Sequence, residues 1–466
     1  MATALDRHLA LVGFMGAGKS TLGLQVAERL GRSFVDLDRE IERELRQTIP
    51  EIFAERGEVE FRVREQEAAL EALESGLQQV VALGGGAVTS PKIRKALREH
   101  AMTVFVEVEP DAAWERVHGR GRPLAQEEST FRALYEERLP LYREAADAVA
   151  STLDDVVLAA AGVHVAIGSL EQLAELVPGE GAVALVADAH VAGIHGMDAQ
   201  LALGQRLAST HTALGKGADD LEQLWRSLDL DRAGTVVALG GGTTTDLAGF
   251  AAATYMRGVE WVAVPTTLVG QVDAAIGGKT AIDLPEAKNL VGAFHWPART
   301  VIDPALLATL QASERANGMA EVVKTGLLAG EALWEFADEE LVRRCAAYKA
   351  ALCLRDPHDL GPRHALNLGH TFGHALEAAS GYELPHGRAV ALGLLAALRL
   401  SGRDTGPVVD VLAPEPVRVD RDRAWEALLR DKKGRLQIVL LGDGGAREEE
   451  LPEAEVRAAL DALISG

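Results

Sequence analysis

The sequence predicts an α/β chain in three parts, on three observations. A buried strand, a glycine-rich loop and a helix follow one another near the N-terminus; βα alternation restarts at Val163; helical periodicity takes over after Thr309. The expected parts are a P-loop domain with a parallel sheet at 1–161, an α/β nucleotide-binding domain at 162–310 and an α-helical metal-binding domain at 311–466. A length of 466 residues is consistent with about three domains.

Composition narrows the function. Apolar residues make up 48% and charged residues 25%, as in soluble proteins with large cores. A formal net charge of −22 argues against a nucleic-acid or anionic-membrane surface, but local basic clusters can still take anionic small substrates. The N-terminus has no apolar signal-peptide core and no run approaches a membrane span. The cysteines are Cys345 and Cys353. On a helix they stand about 12 Å apart along the axis, beyond disulfide reach, which predicts free thiols in a reducing, cytoplasmic compartment.

The first element is the apolar run from His8, a short buried strand. It leads into G-F-M-G-A-G-K-S-T, Gly13 to Thr21, and an amphipathic helix to about Leu30. This is the full phosphate-loop pattern in its strand–loop–helix context. Gly16, Ala17, Gly18 and Thr21 offer backbone amides to phosphates, Lys19 a positive charge, and Ser20 a hydroxyl for Mg²⁺. F-V-D-L-D reads as a strand ending in Asp36 and Asp38. Arg62 follows beside Glu58 and Glu65, then V-V-A-L-G-G-G, a buried strand with Gly84, Gly85 and Gly86 at its mouth. R-G-R-P-L carries Arg122, and E-R-L-P-L-Y-R carries Arg138.

That ordered set, GFMGAGKST, DLD, GEVEFR, GGG, RPL and ERLPLYR, resembles shikimate kinase from residue 8 to about 160. The resemblance implies ATP held by the loop and Lys19, with Mg²⁺ served by Ser20 and Asp36. It implies that Asp38, Arg62, Gly85, Gly86 and Arg138 bind shikimate, that Arg122 comes from a lid, and that Asp38 orients the accepting hydroxyl. Phosphoryl transfer of this kind needs positioning and charge stabilisation more than covalent chemistry.

The stretch from Ala145 to Gly162 reads as a last short strand, an Asp-capped helix and a junction near Gly162. V-A-L-V-A-D then reads as a strand ending in Asp188, and V-V-A-L-G-G-G-T-T-T-D-L-A-G-F, Val236 to Phe250, as strand, glycine turn and helix start. The turn is not G-x-G-x-x-G, so a standard dinucleotide fingerprint is not met. Arg257, Thr266, Thr267, Asp273, Lys279, Lys288 and Asn289 follow closely, and Lys324, Lys349 and Arg363 lie beyond. Such a basic set suits a polyanionic substrate.

N-L-G-H-T-F-G-H-A-L-E-A-A-S-G-Y-E-L-P-H holds His370, His374 and His386. The first two are four apart in a helical run and share one face. His386 follows a turn-like segment and can fold back, and Glu321 lies on another expected helix. Two or three imidazoles plus a carboxylate make a zinc site with one open position.

GGGTTTDLAGF, YMRG, VPTTL, QVDAAIGGKTAID, KNLVGAF, GMAEVVK, LNLGHTFGHALE and LPHG, in that order, resemble 3-dehydroquinate synthase from Val163 to roughly Gly445. The resemblance implies Zn²⁺ (or Co²⁺) on Glu321, His370 and His386, and makes His374 an active-site hydrogen-bonding residue. It implies NAD on Asp188, Gly241, Gly242, Thr243, Asp246, Thr266, Thr267, Lys279 and Lys288. Substrate contacts fall to Arg257, Asp273, Lys279, Asn289, Lys324, Lys349, Arg363 and Asn367, with Lys432 or Lys433 at the phosphate. Lys279, Lys324, Arg363 and His374 are the implied catalytic set, beside Lys19 and Asp38 in the kinase part. The implied reaction takes 3-deoxy-arabino-heptulosonate 7-phosphate to 3-dehydroquinate and phosphate, using NAD without net consumption. A homodimer through this half is also implied, with Arg257 reaching across.

The chain departs from the family where the family has G-E-x-x-K and Gly215 to Asp219 read G-K-G-A-D. Lys216 is expected to face a pyrophosphate or 2′-phosphate, or Asp219 to take over the ribose, with NAD still the cofactor but bound more weakly. The alternative reading of the second half is a metal-dependent polyol or alcohol dehydrogenase. Lys279, Asn289, Lys349 and Arg363 speak against it, because a neutral polyol needs no phosphate clamp.

Overall fold

The computed structural model describes residues 3–119, 124–285, 287–431 and 436–465. The chain divides into two compact units, 1–163 and 164–466.

In the first unit, five strands form a parallel sheet in the order Ser33–Asp36, Gln79–Ala82, His8–Val12, Ala101–Val106, Ala148–Ala150. The strand His8–Val12 is central and wholly buried, as an apolar run covered on both faces must be. Its carboxyl end opens into the phosphate loop, where Gly13, Gly16 and Gly18 all take positive φ. A side chain at Gly16 would also meet the Ala113 carbonyl oxygen at 2.7 Å. The helix Lys19–Leu30 starts directly after the loop. Two local expectations are corrected. The strand ends at Asp36, whose side chain caps the helix Leu37–Leu45, so Asp38 sits in that helix's first turn. The helix Leu153–Ala160 is capped by Thr152, with Asp155 returning the bond to the Thr152 amide, so the cap is the hydroxyl.

In the second unit, six strands run Val163–Val165, Arg299–Ile302, Glu260–Pro265, Thr235–Gly240, Val183–Asp188, Leu207–Ala213 across one sheet. The antiparallel hairpin Lys279–Leu284/Ala287–Phe294 lies over the helix Gly242–Thr254. Its seat is tight: a Cβ at Gly249 would fall 2.5 Å from the Thr280 methyl. Beyond Thr309 the described residues are mainly helical, with an added hairpin, Gln437–Gly442/Gly445–Glu450. Phe372, Leu376, Leu392, Leu428, Ile438 and Leu460 share its core. Both cysteines lie buried and free on the helix Asp338–Arg355. No described helix is long and apolar enough to cross a membrane.

Candidate active sites

In the first unit, a small cavity of about 50 Å³ is lined by Asp38, Arg62, Glu65, Gly85, Gly86, Arg138 and the rings of Phe53 and Phe61, among others. All five residues expected at shikimate therefore meet at one place. The helix Ile49–Leu73 breaks at Gly57 (φ 79°), which turns the limb bearing Arg62 and Glu65 towards the strand ends. Arg62 donates to Glu65 Oε2 at 2.6 Å and to Glu58 Oε1 at 3.0 Å. Burial pushes the Glu65 carboxyl up despite Arg62 beside it. Tyr142 stacks on Phe105 and donates to the Gly85 carbonyl at 2.5 Å, while Arg138 donates there at 3.2 Å. The glycine mouth is thus held from behind.

At the phosphate loop, Lys19 Nζ donates to the carbonyls of Gly13 at 2.7 Å and Phe14 at 3.0 Å. Ser20 is exposed one position on. Arg122 lies outside the described residues, but Arg116 donates to the Gly16 carbonyl at 3.0 Å.

In the second unit, a cavity of about 1230 Å³ opens at the strand ends. Asp188, Gly241, Gly242, Thr243, Asp246, Thr266, Thr267, Lys288 and Asn289 line it, as do His374 and His386. Asp188 also caps the helix Ala189–Leu203 through the Val191 amide. A Cβ at Gly241 would come 3.0 Å from the Thr267 methyl, so the turn is tight there. Backbone amides at the start of Gly242–Thr254 complete a surface suited to phosphate. These features fit a dinucleotide.

Glu321, His370 and His386 bring ligand atoms within 4.8 Å of one another. Close helix packing explains this. Gly393 stands so near Gly369 that an added Cβ would overlap the Gly369 carbonyl at 1.9 Å, and Gly373 backs onto Ala389. Helices His370–Ala379 and His386–Leu400 therefore meet backbone to backbone. Gly387 in turn lies against Asn317 of the helix Ala312–Ala329, which sets His386 over Glu321. His386 Nε2 is 3.0 Å and His370 Nε2 3.4 Å from Glu321 Oε1. A buried carboxylate with two imidazoles fits a Zn²⁺-type ion. His374 is not in the trio; its ring centroid is 5.4 Å from that of His370.

Behind the trio lies a balanced charge cluster. A π-helical turn, Gly270–Ala274, presents Asp273 to Lys324 at 3.6 Å and in direct contact to Lys349, while Lys324 also contacts Glu321. Burial would raise the Glu321 carboxyl, but Lys324, His370 and His386 outweigh it and hold the group well below its usual range. Burial likewise opposes charge on His386, and Glu321 and Glu377 outweigh it, pushing the ring up to about 10. Arg363 is buried, its amide capping Asp356. Asn367 ends the turn just before His370, and Lys279 is held by Asp359.

Among the described residues, Asp273, Lys279, Lys324, Lys349, Arg363 and Asn367 do not line the large cavity; nor does the exposed Arg257. Lys432 and Lys433 lie outside the described residues. Lys216 lines the cavity, and its ammonium is paired with Asp246, Asp283 and Asn289. Asp219 is exposed on the next helix and does not line the cavity. Sequence reasoning missed Glu65 and Glu377 as site residues. Each stands three positions from a chosen residue on the same helix, Arg62 and His374, and that spacing was the available signal.

Known proteins match in the same order. Residues 15–163 match the shikimate kinase family model, 212–317 the 3-dehydroquinate synthase N-terminal model and 318–407 its C-terminal counterpart. The bifunctional shikimate kinase/3-dehydroquinate synthase of Thermotoga maritima is 34% identical, over 91% of this chain and 93% of its own. The 3-dehydroquinate synthase of Bordetella pertussis is 38% identical, over 64% of this chain and 95% of its own. A solved 2-epi-5-epi-valiolone synthase from Streptomyces hygroscopicus, with NAD⁺ and Zn²⁺ bound, is 27% identical with a TM-score of 0.57, covering 65% of this chain and 96% of that one.

Proposed function

The chain belongs to the bifunctional shikimate kinase/3-dehydroquinate synthase family, and on that premise we propose how its residues divide the two reactions. The observation that carries the synthase assignment is the meeting of Glu321, His370 and His386 beside a cavity lined by Asp188, Gly241, Gly242 and Thr243.

In the kinase part (1–161), Lys19 turns from the loop carbonyls to the ATP phosphates, and Ser20 with Asp36 serves Mg²⁺. Arg62 and Arg138 hold the shikimate carboxylate against Gly85 and Gly86. Asp38 orients the accepting hydroxyl and takes its proton. Arg122 is assigned to ATP.

In the synthase part we assign NAD to the α/β domain, 162–310, and the metal to the helical domain, 311–466. Glu321, His370 and His386 would hold Zn²⁺ or Co²⁺; bound NAD supplies a hydride acceptor and the ion a Lewis acid. Asp188 and the Gly241 to Thr243 amides would hold NAD, the carboxylate suited to hydroxyls and the amides to phosphate. Lys279, Asn289, Lys349 and Arg363, with Lys432 or Lys433, bind the substrate's phosphate and hydroxyls, and His374 bonds to the ring. Lys324 and Asp273 fix the charge balance around Glu321. Arg257, exposed and outside its own cavity, would complete the site of a second copy in a homodimer. Free buried cysteines suit a cytoplasmic location.

The test is direct. Purified protein given heptulosonate 7-phosphate, catalytic NAD⁺ and Zn²⁺ should release phosphate without accumulating NADH, and with ATP and shikimate should form ADP. Net NADH from simple polyols, with no phosphate release, would favour a dehydrogenase and overturn the synthase assignment.

A further inference from the structure

Lys216 stands in the loop between the strand Leu207–Ala213 and the helix Ala218–Ser227. Three segments close on its ammonium. Asp246 Oδ2, from the helix that starts at Gly242, accepts at 2.8 Å. Asn289 Oδ1, from the hairpin, accepts at 2.5 Å, and Asp283 Oδ1 lies 3.5 Å away. The backbone joins in: Asp283 N–H donates to the Lys216 carbonyl at 2.8 Å, and Asn289 N–H to Asp283 Oδ1 at 2.9 Å. All four side chains line the large cavity.

The chemistry of the tie fixes what faces the ligand. An ammonium has donors and no acceptor, so it must take the carbonyl end of the Asn289 amide. The amide's NH₂ end is then left for an acceptor, and Lys288, whose ammonium sits over the Tyr382 ring, lines the same cavity. Lys216 also occupies one oxygen of Asp246 and leaves the other to accept from a hydroxyl or amide. Asn289 sits at φ 55°, a left-handed geometry that asparagine tolerates but that local bonds must select. Without the ammonium, Asp246 and Asp283 would face each other with no cation between them.

We propose that Lys216 is a positioning residue that joins the two ligand subsites of the synthase half, presenting Asn289 as a donor to an anionic oxygen of the substrate and Asp246 as an acceptor to the dinucleotide. This rests on the synthase reading. One ammonium thereby couples the cofactor helix to the substrate hairpin, and loss of the cation weakens both ligands together.

The experiment titrates the full chain separately with NAD⁺ and with inorganic phosphate, by calorimetry, as wild type, Lys216→Met, Lys216→Arg and Asn289→Ala. Hydrogen exchange is followed over the hairpin, 279–294. Lys216→Met should weaken both ligands by about tenfold or more, the scale of a lost charge-assisted bond, and should speed exchange at Asp283 and Asn289. Lys216→Arg should restore most of each. Asn289→Ala should weaken phosphate and spare NAD⁺. Unchanged affinities in Lys216→Met, or loss of NAD⁺ alone with the hairpin still protected, would overturn the proposal. A Lys216→Met chain with lost circular dichroism leaves the decision to Asn289→Ala, whose failure to separate the ligands would overturn it too. Wild-type protein that binds neither ligand would instead overturn the synthase reading.

Discussion

His386 Nε2 lies 3.0 Å from Glu321 Oε1, 65 residues earlier in the chain, while its Nδ1 faces Glu377 Oε1 at 3.5 Å. When an ion displaces the proton from Nε2, Glu377 would hold the remaining ring proton on Nδ1 and so keep Nε2 turned to the ion. Glu377→Gln should therefore weaken Zn²⁺ binding by about 10- to 100-fold while leaving one site per chain. Competitive titration against a chromophoric chelator measures this; unchanged affinity would remove Glu377 from the account.

His374 lines the cavity but stands outside the ligand trio. His374→Ala should keep most of the bound metal and lose turnover, whereas His370→Ala should lose the metal. Metal content by elemental analysis, beside phosphate release, separates these outcomes. Equal loss of metal in both variants would restore the ligand pair that the i, i+4 spacing first suggests.

How much of these sites could be read from the sequence depends on range. The phosphate loop, the glycine turns and the strands that feed them were legible, because each motif is local and sits where a buried strand must end. Asp38, Arg62, Gly85, Gly86 and Arg138 could be picked out of the sequence, and they meet in one cavity. The metal trio was not legible from spacing. His370 and His374 share a helix face, but His386 arrives through glycine contacts at Gly369, Gly373, Gly387 and Gly393 that local periodicity does not encode. The pairing of Lys216 was not legible for a related reason: its partners Asp246, Asp283 and Asn289 lie 30 or more residues away, and only the folded hairpin brings them in.

The kinase unit should lose stability in mild acid. Burial holds the His8 ring below the usual histidine range. Its Nδ1 accepts from the Gln79 amide at 3.3 Å and its Nε2–H donates to the Ser75 carbonyl at 3.2 Å, a pattern only the neutral ring satisfies. The folded pKa is lowered, so above about pH 6.5 both states are neutral and the contribution is complete. As pH falls through about 6.5 the unfolded chain takes the proton first, and stability declines towards the lower folded value. The urea midpoint for loss of kinase activity should be flat from about pH 7 to 8 and fall below about 6.5. His8→Gln should flatten that fall.

Glu65 fixes Arg62 at the mouth of the small cavity through a 2.6 Å bond. Glu65→Gln should raise the shikimate KM by about tenfold, the effect of a lost charge-assisted bond, and leave the ATP KM unchanged. Steady-state kinetics with each substrate varied in turn would show it. A rise confined to the ATP KM would contradict the assignment of Arg62.

One chain is expected to carry two complete and independently acting active sites. Both activities are to be measured on the same preparations of Lys19→Met and His370→Ala, each with its circular dichroism intact. Lys19→Met should abolish shikimate phosphorylation and leave phosphate release from the heptulosonate at the wild-type rate; His370→Ala should do the reverse. Loss of both activities from either single change would contradict the account.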